Sequence, residues 1–178
     1  LVTDGGGAII MTTAERAKGL KNKPAYILGT GEEITHKDIS SMPDFTKTGA
    51  IQSGQRAYAA AQLAASDVDV AAVYDAFTIC TLLFFEELGY CEKGEGGAFV
   101  ADGGIAPGGR VPVNTNGGGR SYCHPGMYGL LVLIEAARQI QGVCGPRQVA
   151  GAEIALAHGN GGVLSSQCTV LLGAEATL

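Results

Sequence analysis

One stretch of the chain reads Val113-Asn114-Thr115-Asn116-Gly117-Gly118-Gly119-Arg120-Ser121-Tyr122-Cys123-His124-Pro125. Two asparagines lead into a glycine run, and an imidazole pinned by a proline follows a few residues later. Such a composition suits a loop that carries a histidine into a site where backbone comes close to another group, because glycine permits that approach. Near neutral pH, histidine can hold a proton, release one or donate to a developing negative oxygen. Two further polar groups stand out, Tyr74-Asp75-Ala76-Phe77 after an apolar run and His158-Gly159-Asn160-Gly161-Gly162 between two others. Two of the three histidines lie in these three segments.

The elements that must position these groups follow from periodicity. An apolar strand is expected over 8–11, a short helix over 13–18 capped by Thr12 or Thr13, and a strand over 24–30 ending on glycine. Residues 31–48 are polar, carry Pro43 and read as loop. The alanine-rich run 50–65 has apolar positions at helical spacing despite Gly54. A buried strand over 68–73 leads to Tyr74, and Thr78 is expected to cap an apolar helix running to Leu88 and stopped by Gly89. Residues 91–112 are glycine-rich and read mostly as loop. A helix over 125–141 places Leu130, Leu131, Ile134 and Ala137 on one face, with Gly142 as its stop. Strands over 153–157 and 166–172 are expected to be joined by a glycine hairpin with His158 at its mouth. Strands alternating with helices imply α/β layers with an antiparallel edge. The polar segments then sit at strand ends and in loops, where such folds place their sites.

Composition narrows the function classes. The chain has 178 residues, 46% of them hydrophobic and 16% charged, which suits one folded domain with a sizeable core. A formal charge of −5 argues against a general nucleic-acid binder. The five cysteines (Cys80, Cys91, Cys123, Cys144 and Cys168) are widely spaced with no Cys-x-x-Cys, which argues against a disulfide framework or structural zinc and fits a reducing cytoplasm. No apolar run is long enough for a membrane span, and no signal peptide is visible. Opening on Asp4-Gly5-Gly6-Gly7 before an apolar run, with no initiator Met, the chain reads as a piece of a longer polypeptide. His36 is expected to be solvated, and Leu82 to Phe85 to be core or a contact with missing chain. Gly103-Gly104 and Gly108-Gly109 lack the Lys-Ser/Thr and strand-to-helix frame of a phosphate loop.

The order and spacing of the three segments resemble the C-terminal half of the thiolase superfamily. That half carries Asn-Glu-Ala-Phe (His-Asp-Cys-Phe in the sterol-carrier type), then Asn-x-Asn-Gly-Gly, Gly-His-Pro and Cys-x-Gly. Tyr74-Asp75-Ala76-Phe77, Asn114-Thr115-Asn116-Gly117-Gly118, Cys123-His124-Pro125 and His158-Gly159-Asn160-Gly161 stand in those places. The resemblance implies residues 1–20 as the end of a thiolase N-terminal half and 21–178 as the C-terminal domain, a mixed, five-stranded-type sheet with helices on both faces.

It also implies a thiolase-like acyl-CoA acyltransferase of the acetyl-CoA acetyltransferase type, performing Claisen condensation or thiolysis of 3-oxoacyl-CoA. His124, His158 and Tyr74 would be catalytic, with Asn116, Gly117, Gly118, Gly159 and Asn160 binding substrate. His124 would activate a nucleophilic cysteine lying outside this chain and polarise the thioester carbonyl. Tyr74 would take the place of the oxyanion-hole Asn or His, and His158 that of the acid/base. No cofactor or metal is implied, since the coenzyme A thioester is itself the substrate. The partners implied are acyl-CoA, the missing N-terminal half, further copies in a homo-oligomer and, for the sterol-carrier branch, a small zinc-ribbon/OB-domain protein. Tyr74 and His158 depart from the usual motifs, which puts ordinary thiolysis in doubt. A retro-aldolase acting on acyl-CoA and a non-catalytic acyl-CoA or lipid-binding module therefore stand as alternatives.

Overall fold

A computed structural model describes residues 2–178. Four strands form one mixed sheet in the order β1-β4-β3-β2, where β1 is Tyr26–Ile34, β2 Val70–Val73, β3 Ile154–Gly161 and β4 Ser166–Gly173. β2 runs parallel to β3, while β4 is antiparallel to both β3 and β1. Where five strands were expected, the fifth place is held by a single parallel bridge from Ala71 to Val113. Among the described residues no helix is long and apolar enough to cross a membrane.

Side-chain alternation along the central strands builds two cores. Val73, Ala71, Leu156 and Leu171 face one way and pack with Ala50 and Ala57 of α2 (Ala50–Ala61) and Phe84, Phe85 and Leu88 in and after α3 (Thr78–Glu87). Val70, Ala72, Ala155, Ala157 and Leu172 face the other way. They pack beneath α6 (Gly129–Gln141), whose Val132, Ala136 and Ile140 are buried at helical spacing. Three short α-helices, α1 (Ala14–Ala17), α4 (Gly96–Ala101) and α5 (Gly118–Ser121), and four single 3-10 turns complete the described residues.

Several expectations are corrected. Residues 8–11 form no strand and are exposed, Ile10 most of all. α2 stops at Ala61 because Gln62 adopts a left-handed conformation, φ 57°. Phe77, not Thr78, is the residue preceding α3, and no side chain caps that helix. α6 begins only at Gly129, after an irregular turn through residues 125–128, and 91–112 contains α4. The expected glycine hairpin is displaced: His158 pairs with Thr169 inside the ladder, and the turn falls at 162–165. There Gly162, Val163 and Leu164 all have positive φ (56°, 54° and 66°), a conformation that costs a β-branched residue energy and survives only if its surroundings hold it. Thr35 N–H donates to the Ser165 carbonyl at 2.9 Å, and Gln167 Nε2 donates to the Leu164 carbonyl at 3.0 Å. His36, only partly exposed, bonds through Nε2 to the Val163 carbonyl.

α2 lies so close on β1 that a Cβ at Gly31 would overlap the Ser53 carbonyl oxygen, and one at Gly29 that of Ala57. Gly31→Ala should therefore lower unfolding free energy by about 1–3 kcal/mol through overpacking, read from urea unfolding midpoints. An unchanged midpoint would mean that α2 can lift off the strand at little cost.

Candidate functional site

The site grows from the carboxyl end of the parallel β2/β3 pair. Tyr74, directly after β2, donates its backbone N–H to the His158 carbonyl at 2.9 Å. Its side chain is buried on the α6 side of the sheet. There its ring meets His124 edge-on at 5.5 Å and Tyr128 edge-on at 5.8 Å, while His124 and Tyr128 stack with centroids 6.1 Å apart. The Tyr74 hydroxyl reaches the Gly126 carbonyl only at 3.5 Å. His124 Nε2 is buried and has no hydrogen-bond partner among the described residues. Leaving such an atom unsatisfied costs about 1–3 kcal/mol, so this one calls for a partner outside the described residues.

The loop that delivers His124 is fixed on all sides. Asn114, at φ 48°, accepts from Val73 N–H at 2.8 Å and donates its own N–H to the Ala71 carbonyl. Asn116 Oδ1 accepts from Gly118 N–H at 2.9 Å and from the Tyr128 hydroxyl at 3.3 Å. Burial pushes the Tyr128 phenol up to about 12 against the opposing pull of the Asn116 bond, so it remains a protonated donor. The buried Asp75 carboxylate accepts from Gly119 N–H at 2.7 Å and Arg120 N–H at 3.3 Å. A Cβ at Gly118 would overlap that carboxylate, and one at Gly119 would stand 2.8 Å from His124 Cδ2. These glycines allow backbone to approach Asp75 and His124, and Gly117, at φ 97°, supplies the reversal before them. On the outer side, Thr3 Oγ1 accepts from His124 N–H at 3.0 Å and donates to Cys123 Sγ at 3.2 Å.

His158 occupies a different environment. It faces the opposite side of the sheet, fully buried against Phe84 with ring centroids 4.5 Å apart. Its Nδ1 lies 2.9 Å from Thr169 Oγ1 and its Nε2 2.9 Å from Gln167 Oε1. The Gln167 amide has only one consistent orientation, because its Nε2 donates to the Leu164 carbonyl and to Asn160 Oδ1. His158 Nε2 therefore carries the proton and Nδ1 accepts from Thr169, whose hydroxyl also meets Ser53 Oγ at 2.9 Å. Desolvation depresses the imidazole to about 4, only partly opposed by the Gln167 bond.

Residues 31–174 match the family described as "Thiolase C-terminal domain-like". The chain belongs to that family. It is 34% identical to an acetyl-CoA acetyltransferase of Methanothermobacter thermautotrophicus over 90% of this chain and 43% of that protein. It is 38% identical to a 17-hydroxy-3-oxo-4-pregnene-20-carboxyl-CoA lyase of Mycobacterium tuberculosis over 92% of this chain and 43% of that one. Among solved structures it superposes on an Ltp2-ChsH2(DUF35) aldolase with TM-score 0.82 and 32% identity, over 91% of this chain and 42% of that one. The chain spans less than half the length of these relatives.

In this thiolase C-terminal domain the fold brings together Tyr74, His124, Asn116 and Gly118, with Gly117 forming the turn that joins them. It does not bring the His158 ring to them. Strand alternation instead puts Ala157 on the Tyr74 face, and Gly159 next along it. Asn160 lies within β3, bonded to Gln167. Sequence reasoning gave no role to Tyr128, Asp75 or Glu135. One signal was available: Val132, Glu135, Ala136, Gln139 and Ile140 form a single buried helical stripe, and a charged residue in such a stripe implies a partner.

The depressed His158 pKa makes a stability prediction. Well above pH 6.5 the imidazole is neutral in both states. As pH falls from 6.5 towards 4, the unfolded chain takes up a proton that the folded chain refuses, so stability is lost across that window. The loss should reach on the order of 3 kcal/mol at its lower end. Paired urea titrations at pH 7 and pH 4.5 should show a smaller drop for His158→Gln than for the unmodified protein; equal drops would place the proton uptake on other groups.

Proposed function

We propose that this domain carries half of an active site at which a thiolase-family enzyme makes or breaks a carbon–carbon bond beside an acyl-CoA thioester. The observation that carries the reading is the buried, unpartnered His124 Nε2 among the rings of Tyr74 and Tyr128. An N–H held there, out of water, suits a thioester carbonyl oxygen that becomes an enolate. Asn116 would bind substrate beside it, its Oδ1 already occupied and its NH2 without a protein partner among the described residues. Gly117, Gly118 and Gly159 are assigned to the walls of the same substrate site, whereas Asn160, bonded to Gln167, stands with His158 on the other face of β3 and is left out of it.

The reaction best supported is retro-aldol cleavage of a 3-hydroxyacyl-CoA. Tyr74 relays the proton leaving the 3-hydroxyl, and the Cα–Cβ bond breaks. Its electron pair passes to the thioester as an enolate held by His124, and the α-carbon then takes a proton. A carbonyl compound and a shortened acyl-CoA result. Two features favour this over acyl transfer. Tyr74 presents a phenol to His124 on that face, with ring centroids 5.5 Å apart, and His158 is neutral and committed to bonds behind the sheet. Moreover, two of the relatives are a carboxyl-CoA lyase and an aldolase by name. Acyl transfer with an acetyl-CoA acetyltransferase-like mechanism is the second reading, favoured by the methanogen relative. Its thiolate would come from outside this chain, as the family resemblance implies, since none of the five cysteines stands in a comparable nucleophile motif.

The remaining chain of a full-length protein would sit over exposed Phe77, Ile79, Tyr122 and Met127, which flank the site residues in sequence. The family resemblance carries the assignment of a homo-oligomer and, with the two-component aldolase among the similar structures, of a small zinc-ribbon/OB-type partner; five free cysteines among the described residues carry that of a reducing, cytoplasmic setting. Full-length protein should release an aldehyde or ketone from a 3-hydroxyacyl-CoA. His124→Ala should cut that rate by about 10²–10³-fold, and Tyr74→Phe by about 10²-fold or more, with circular dichroism unchanged. Undiminished turnover in His124→Ala would remove it from the mechanism; thiolysis of acetoacetyl-CoA without retro-aldol activity would select the acyl-transfer reading.

A further inference from the structure

The asparagine loop is tied down from below by a group that none of the active-site residues includes. Thr115 points away from the aromatic trio and donates its hydroxyl to Glu135 Oε1 at 2.7 Å. Glu135, 3% exposed on α6, also accepts from Arg147 Nε at 2.9 Å and Nη2 at 3.1 Å. Gln139, 1% exposed, donates from Nε2 to Thr115 Oγ1 at 2.8 Å and to the Arg147 carbonyl at 2.9 Å, and accepts from Val149 N–H. Burial alone would raise the Glu135 carboxyl, but Arg147 and Thr115 outweigh it and leave it lowered.

A buried carboxylate matched this fully is costly to assemble and commonly serves geometry more than net stability. Its place in the chain says which geometry. Asn114, Thr115 and Asn116 are consecutive, and each is bonded to a different element: Asn114 to Val73 of β2, Thr115 to Glu135 of α6, and Asn116 to Gly118 and Tyr128. Fixing the middle residue fixes the rotation of its neighbours. Tyr128, whose ring stacks on His124, donates its hydroxyl to Oδ1 of that same Asn116.

We propose that Glu135 is a positioning residue: clamped by Arg147 and Gln139, it holds Thr115 and thereby sets the angle at which Asn116 and Tyr128 meet His124. The catalytic consequence rests on the enolate reading above, whereas the anchoring of the loop does not. The test uses full-length protein with Thr115→Val, Thr115→Ser and Glu135→Gln, read by hydrogen exchange of residues 113–119 and by steady-state kinetics. Thr115→Val is the primary variant, because Glu135→Gln leaves Arg147 short of a charge partner and could unfold the region. Thr115→Val should speed exchange locally in 113–119 and lower kcat by roughly 10- to 100-fold with KM for the acyl-CoA changed less than about twofold. Thr115→Ser, which keeps the hydroxyl, should restore both. Unchanged exchange in Thr115→Val would overturn the anchoring, and faster exchange with an unchanged kcat would overturn the catalytic role. A parent protein inert towards acyl-CoA would instead count against the enolate reading, and the exchange comparison would still decide whether Glu135 anchors the loop.

Discussion

The parallel pairing of β2 with β3 is the constraint from which the rest follows. It sets Val73 opposite His158 and lets Tyr74 N–H reach the His158 carbonyl. In a pleated ladder, neighbouring side chains leave on opposite faces, so this register sends the Tyr74 phenol towards α6 and the His158 imidazole towards α3. One sheet thus separates two polar assemblies. Beneath α6 is an aromatic cluster with one ring nitrogen left free. On the other face, the relay Ser53, Thr169, His158 and Gln167 has its histidine fully bonded. The same residue type has two fates because burial with partners quenches an imidazole, while burial without one keeps a donor or acceptor ready for a ligand.

Close backbone approach is the second theme. The glycine run after Asn116 lets amides 119 and 120 converge on Asp75, and the Gly119 backbone lie against His124. A side chain at Gly118 or Gly119 would push the loop away from Asp75 and His124. Asp75 and Glu135 act as two buried anchors, one satisfied by backbone amides and the other by Arg147, Thr115 and Gln139. Charge buried this way is tolerable only when its hydrogen-bonding capacity is met. The asparagine–glycine loop is therefore held from two sides in one conformation. The displaced hairpin obeys the same logic, since Val163 and Leu164 keep left-handed backbone only because Thr35, Gln167 and His36 hold their turn.

Much of this was legible in the sequence. Helical periodicity located α2, α3 and α6, apolar runs located β2 to β4 and the first half of β1, whose polar residues 31–34 read as loop, and the spacing of the asparagine, glycine and His-Pro residues carried the family resemblance that residues 31–174 bear out. The same spacing put His124 in a loop packed against the end of β2. These features survive because period and motif are local properties, read from neighbours within a few residues. The strand expected at 8–11 failed for the same reason, since an apolar run predicts burial only if something is there to cover it.

Tertiary structure alone decided which faces met. Grouping His158 with His124 rested on their common place among glycines, yet a one-residue difference in strand register moves a side chain to the other side of a sheet. That register is set by pairing with β2 and β4, far away in sequence. Glycines at 159, 161 and 162 pointed to a turn there, but the ladder runs on through Gly161, and the reversal falls on Val163 and Leu164. Tyr128 and Glu135 gained their places when α6 packed over β2, and Asp75 when the glycine loop folded back onto the end of β2. Sequence therefore determined the elements and the chemical types available. Long-range pairing decided which of those types share a site, because a side chain's neighbours across a sheet are fixed by pairing and not by its own stretch of chain.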